Sequence, residues 1–182
     1  MPSAALTELT NALKDVEELI NSHVIVTGGG RGRPAMRQGA AISRAGIVLL
    51  AASFEAFVED LFEEAADIVY QGWTADERRA FIKQTSKRLN NADVFKTNYL
   101  YFNLGIPWVF NGIRWQKFSN PTLIREVNDL VDTRNQVAHG GQPTIRLASV
   151  RYWKRMIENL APRFEAKVSA EVNRVCGRPT GW

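Results

Sequence analysis

One apolar run narrows the structures open to this chain more than any other feature. It extends from about Ala35 to Gln71 and is densest in AGIVLLAASFEAFVEDLFEEA, from Ala45 to Ala65. Ile47, Leu50, Ala51, Phe54, Val58, Leu61, Phe62, Ala65 and Val69 share one broad face when the run is wound as a helix. So wide a face needs other elements around it, and the sequence predicts the central rod of a core. Glu55, Glu59 and Asp60 interrupt the run, which argues against the roughly 20 continuous apolar residues of a membrane span.

The neighbours of this rod also have helical periodicity. Leu6, Leu9, Leu13, Val16 and Ile20 predict a first helix over about Ser3 to Ser22. After a break at Gly72-Trp73, Thr74 and Glu77 form a capping box for a helix reaching about Leu89. The last long helix should span Thr144 to Val175, with Val150, Trp153, Ile157, Leu160, Phe164 and Val168 on one face and a kink at Pro162. Two stretches hold no regular pattern. One is VTGGGRGRP, from Val26 to Pro34, which lacks the Gly-Lys-Ser/Thr ending and the preceding strand of a phosphate loop. It reads as a plain surface connection or as a basic loop that touches RNA backbone. The other runs from Asn90 to Ser119 and mixes aromatic residues with asparagines and glycines; its Tyr99, Tyr101, Phe102, Trp108, Phe110 and Trp115 suit a satellite core or a base-stacking surface. Four or five main helices, no convincing strand and no internal repeat predict an all-α bundle, and 182 residues suffice for one domain, 1–182.

The stretch with chemical content is NPTLIREVNDLVDTRNQVAHGG, from Asn120 to Gly141. Asn120 suits an N-cap, Pro121 the first helical position, and Gly140-Gly141 a stop. Leu123, Val127, Leu130, Val131, Val137 and Ala138 form its apolar stripe, and Arg134 falls near the middle of that stripe. Burying a guanidinium costs several kcal/mol unless it is paired, so Arg134 needs an acceptor. Glu55, at the border of the long rod's apolar face, could serve if the two helices are neighbours; a solvated helix-edge Glu is the plainer reading. Asn128, Asp132, Asn135 and His139 line one polar edge. Arg134 and His139 could instead be a snorkelling side chain and a cap for the last carbonyls.

RNQVAH within LVDTRNQVAHGG resembles the Arg, four to six residues, His motif of the HEPN superfamily, with a polar residue directly after the Arg. With the long apolar helix before it, the chain resembles the RiboL-PSP-like HEPN proteins from about Ala35 to Cys176. The resemblance implies a HEPN-like bundle with an irregular, aromatic-rich insertion at 95–118. It implies a metal-independent endoribonuclease, in which the ribose 2′-hydroxyl attacks the adjacent phosphate and a 2′,3′-cyclic phosphate results. Arg134, Asn135 and His139 would be catalytic, with Glu55, Asp132 and Asn128 in support. It also implies a homodimer formed through the motif helix, and a toxin or phage-defence role restrained by an antitoxin or a nucleotidyltransferase partner. Non-catalytic HEPN-like modules for RNA binding, regulation or assembly are the alternative.

Charge and cysteine content fit either reading. The chain has 23 Lys and Arg against 19 Asp and Glu, a formal charge of +4. Such a mild basic bias permits RNA without requiring it. Arg79, Lys83 and Lys87 form an i, i+4 row, either solvated surface or a track for a phosphate backbone. The single cysteine, Cys176, leaves no intrachain disulfide and no thiolate metal site; no metal or cofactor is expected, and the cytoplasm is the expected compartment.

Overall fold

Helix α3, Ala40–Val69, is the rod around which the bundle is assembled. Ile47, Leu50, Phe54, Val58, Leu61, Phe62 and Ala65 are essentially inaccessible. Each large apolar side chain buried this way contributes about 1.5–3 kcal/mol, more than any helix propensity, so packing and not local preference holds the rod. Its partners are α1 (Ala4–Val26), α6 (Asn120–Ala138) and α7 (Leu147–Cys176). Gly46 lets α7 approach closely, since a β-carbon there would lie 3.1 Å from Val150.

The computed structural model describes residues 1–30, 33–86, 91–116 and 118–182, with residues 35 and 36 described by backbone alone. Seven helices and no strand occur among the described residues, so the fold is all-α. The count exceeds the expected four or five because of two short additions. α5, Val94–Phe102, forms inside the stretch read as irregular, and α2, Arg33–Gln38, is a separate piece of the expected second helix. α4 is Ala75–Ser86. By length and composition α3 is apolar enough to cross a membrane in spite of its acidic residues; half of its apolar window is buried in the bundle instead.

The break between α2 and α3 has a steric cause. The sequence predicts one continuous helix from Ala35, but the chain leaves helical geometry at Gly39, with φ −91° and ψ 0°. There the buried imidazole of His23, near the end of α1, occupies the space a side chain would need: a β-carbon on Gly39 would stand 2.0 Å from Nε2. α1 also runs four residues beyond its expected end, to Val26, and α2 takes in Arg33 and Pro34. The glycine-rich connection is therefore shorter than its composition suggests. At the other end of α1, Ser3 is the N-cap and the free N–H groups of Ser3 and Ala5 donate to Glu165 and Glu64, both at 2.7 Å. Carboxylates from α7 and α3 thus satisfy donors that a helix start leaves open. α7 continues through Pro162 as one helix.

The aromatic segment divides by residue. Tyr101 and Phe110 are core, with the Tyr101 hydroxyl donating to Val58 O at 3.0 Å, and Trp115 is half-buried. Tyr99, Phe102 and Trp108 are exposed at 50%, 62% and 65%, so packing accounts for only half of the cluster.

Candidate functional site at the end of helix α6

The ends of α6 fix where its polar edge points. Its N-cap is Ser119 and not Asn120: the Ser119 hydroxyl accepts from Thr122 N–H at 3.3 Å. Asn120 is instead the first helical residue, and its amide donates to Phe110 O at 2.6 Å and Ile113 O at 3.1 Å, anchoring the preceding loop. Pro121 follows within the first turn, where its missing N–H costs nothing. At the far end His139 is the C-cap, Gly140 adopts φ +80°, and Gly141 N–H donates back to Gln136 O at 2.8 Å. This is a Schellman closure, and it explains the paired glycines: the first takes the left-handed backbone, and a β-carbon on the second would lie 2.6 Å from Gln136 O. The imidazole of His139 is left exposed at the helix end.

Arg134 lies where α6 meets α3. Its side chain is 25% exposed, and Nη2 donates to Glu55 Oε2 at 3.4 Å. Nη1 donates to Asn91 Oδ1 at 2.5 Å and to Asn135 Oδ1 at 3.1 Å. Glu55 and Arg134 are therefore paired, and the pair is supplemented by two neutral acceptors. Guanidinium carries five N–H donors. The three used here leave Nε–H and one Nη2–H without an acceptor among the described residues. His139 stands one helical turn beyond Asn135, its backbone N–H donating to Asn135 O at 3.0 Å.

The acidic side of the cluster is held in tension. Burial raises the Glu55 carboxyl above its ordinary range, while Arg134 and Lys96 pull it down. One turn along α3, Glu59 is pushed up to about 7, first by burial and then by Glu55, Asp60 and Glu63. Glu63 and Asp60 are raised as well, again mainly by burial. A row of carboxylates therefore runs down α3 away from the guanidinium.

Other residues expected here have varied surroundings. Asn128 accepts from Val94 N–H at 3.1 Å and so ties the start of α5 to α6, while Asp132 is exposed. On α4, Arg79 pairs with Asp76 at 3.7 Å and Lys83 is exposed; Lys87 lies outside the described residues. The hollow beside Arg79 and Lys83 is also lined by Glu63 and Asp67. Asn91 was not singled out from the sequence. It is 43 residues from Arg134, in a stretch with no periodicity, and only its polar character set it apart.

A family model described as RiboL-PSP-HEPN matches residues 7–169. The chain belongs to this family. The RiboL-PSP-HEPN match takes in nearly all of α1, which precedes the stretch from about Ala35 over which the resemblance was expected, and it covers α3, α6 and most of α7. No curated protein and no solved structure matches the chain.

Proposed function

We propose that this RiboL-PSP-HEPN chain is a metal-independent endoribonuclease that cleaves RNA by attack of a ribose 2′-hydroxyl on the adjacent phosphate. The observation that carries the reading is the anchored guanidinium of Arg134, with Nε–H and one Nη2–H lacking an acceptor among the described residues, near an exposed histidine at the end of the same helix. The reaction needs a base for the 2′-hydroxyl, an acid for the leaving 5′-oxygen and a cation for the charge that builds on phosphorus. Imidazole is the side chain suited to proton transfer near neutral pH, and the remaining guanidinium donors suit phosphate oxygens. Glu55, Asn91 and Asn135 hold the guanidinium in place.

One imidazole does not readily serve as base and acid in the same step. His23 is buried against Gly39 and is not an exposed second histidine. A two-fold dimer through the polar edge of α6 supplies a second His139 and a second Arg134 to one cleft. Family resemblance supports a toxin or phage-defence effector, restrained by an antitoxin or a nucleotidyltransferase.

The test is cleavage of a structured RNA in EDTA, with product ends assayed for 2′,3′-cyclic phosphate. Wild type should cut, while His139→Ala and Arg134→Ala should each lose activity by a factor of at least about 10² with their helical circular dichroism intact. Full activity in both variants removes the proposal. RNA binding without product points to a regulatory or assembly module.

A further inference from the structure

We propose that the surface formed by residues 111–116, Phe118 and α7 is a second nucleic-acid subsite, which holds an unpaired stretch of RNA away from the motif. It deepens the ribonuclease reading by naming single-stranded RNA as the substrate class, and rests on that reading only for the strand's identity. Trp115 and Phe118 face each other, each donating a backbone N–H to the other's carbonyl at 3.1 and 2.9 Å. Their rings stack at 4.6 Å and 10°. Tyr152 of α7 extends the surface, its ring 6.2 Å from Phe118. The Arg163 guanidinium lies over Trp115 at 5.3 Å.

Two hollows lie along α7: one of about 370 Å³ is lined by Trp115, Phe118 and Tyr152 with Arg155, and one of about 420 Å³ by Arg114, Arg163 and Lys167. Their walls carry Arg114, Arg155, Arg163 and Lys167, and no carboxylate is among the lining residues. Lys167 is paired with Glu171 at 2.9 Å, but the three arginines have no carboxylate partner among the described residues. Glu126, which neighbours Tyr152, is engaged by Arg125 and by Trp153 Nε1, both at 3.2 Å. The α4 hollow is different, because Glu63 and Asp67 offset its basic residues.

Aromatic surface beside arginines without carboxylate partners, in hollows with no acid in their lining, matches the needs of single-stranded nucleic acid. Trp115 is covered by Phe118 and Arg163, so the exposed ring of Tyr152 is the surface on which a base stacks without regard to sequence, and phosphates follow the cations. A duplex keeps its bases stacked on each other and cannot use the aromatic surface. The groove adjoins Ser119, at the start of α6, so Arg134 stands about 22 Å along the same helix. A strand seated in the groove would reach the motif by following α6.

The measurement is fluorescence anisotropy of the full chain carrying His139→Ala, with labelled oligouridylate of about twelve nucleotides, a duplex of equal length and polyglutamate as probes. The single strand should bind more tightly than either alternative. The paired substitutions Arg155→Glu and Arg163→Glu, both on exposed positions, should weaken it by about ten-fold or more and flatten its salt dependence. Tyr152→Ala, at an exposed position, should weaken it with the salt slope kept. Duplex bound as tightly as single strand, or charge reversals without effect, overturns the proposal. Polyglutamate bound in preference to RNA overturns it in favour of an acidic protein partner. Cleavage by the chain with His139 intact is scored separately. Lost activity in His139→Ala with unimpaired groove variants leaves the nuclease and removes the subsite; groove-dependent binding without any cleavage does the reverse.

Discussion

Glu59 shows how far burial alters a single side chain. Its carboxyl is pushed up to about 7 from 4.5, first by burial and then by the carboxylates of Glu55, Asp60 and Glu63. Between these values the folded chain keeps a proton that the unfolded chain releases, so folding loses stability as pH rises through about 7. Glu59→Gln removes the titration. The variant should melt above wild type at about pH 8, and the gap should close as pH falls to about 4.5, in thermal unfolding followed by circular dichroism. Equal melting curves across that range would show the carboxylate to be well solvated. At this scale the sequence was informative wherever a charge stood on an apolar face: Arg134 required an acceptor, and Glu55 on the neighbouring helix was a candidate. Asn91 could not be found the same way. A neutral amide breaks no hydrophobic pattern, and its 43-residue separation from Arg134 is closed only by the fold.

Among elements, the long helices were legible because their apolar residues repeat with the helical period, and their boundaries were less so. Gly39 is an example. In sequence it is an ordinary glycine within a helical run, and only the position of His23 makes it a break. Gly39→Ala should cost about 1–3 kcal/mol in urea unfolding, because the buried imidazole has to move. Combining it with His23→Ala should cost less than the sum of the two single changes, since the second substitution vacates the space. Additive costs would place the origin of the break elsewhere. Capping shows the same limit. Ser119 and Asn120 are both good caps by type, and the carbonyls of Phe110 and Ile113 draw Asn120 into another role. α5 was missed because Val94–Phe102 is one short helix whose Phe95 and Phe102 face outward, so its apolar pattern does not mark a buried side.

For the whole molecule, the all-α class followed from periodicity and the family from one motif and one long helix, while no single-chain feature reports assembly. The proposed shared cleft makes a claim that mass can check. In sedimentation equilibrium the chain should weigh about twice its 20.5 kDa, and substitutions on the polar edge of α6, such as Asp132→Lys, should shift it toward monomer. A monomeric wild type that still cleaves RNA would require another source for the second proton transfer. α6 also joins two ends with different surroundings: the aromatic loop is fixed at Asn120, and the histidine stands where Gly140 and Gly141 close the helix. Such a helix is stiff over its length of about 28 Å and so acts as a ruler. Cuts made by a chain that grips RNA at one end of it would fall at a constant distance from the edge of an unpaired run, whatever bases lie between.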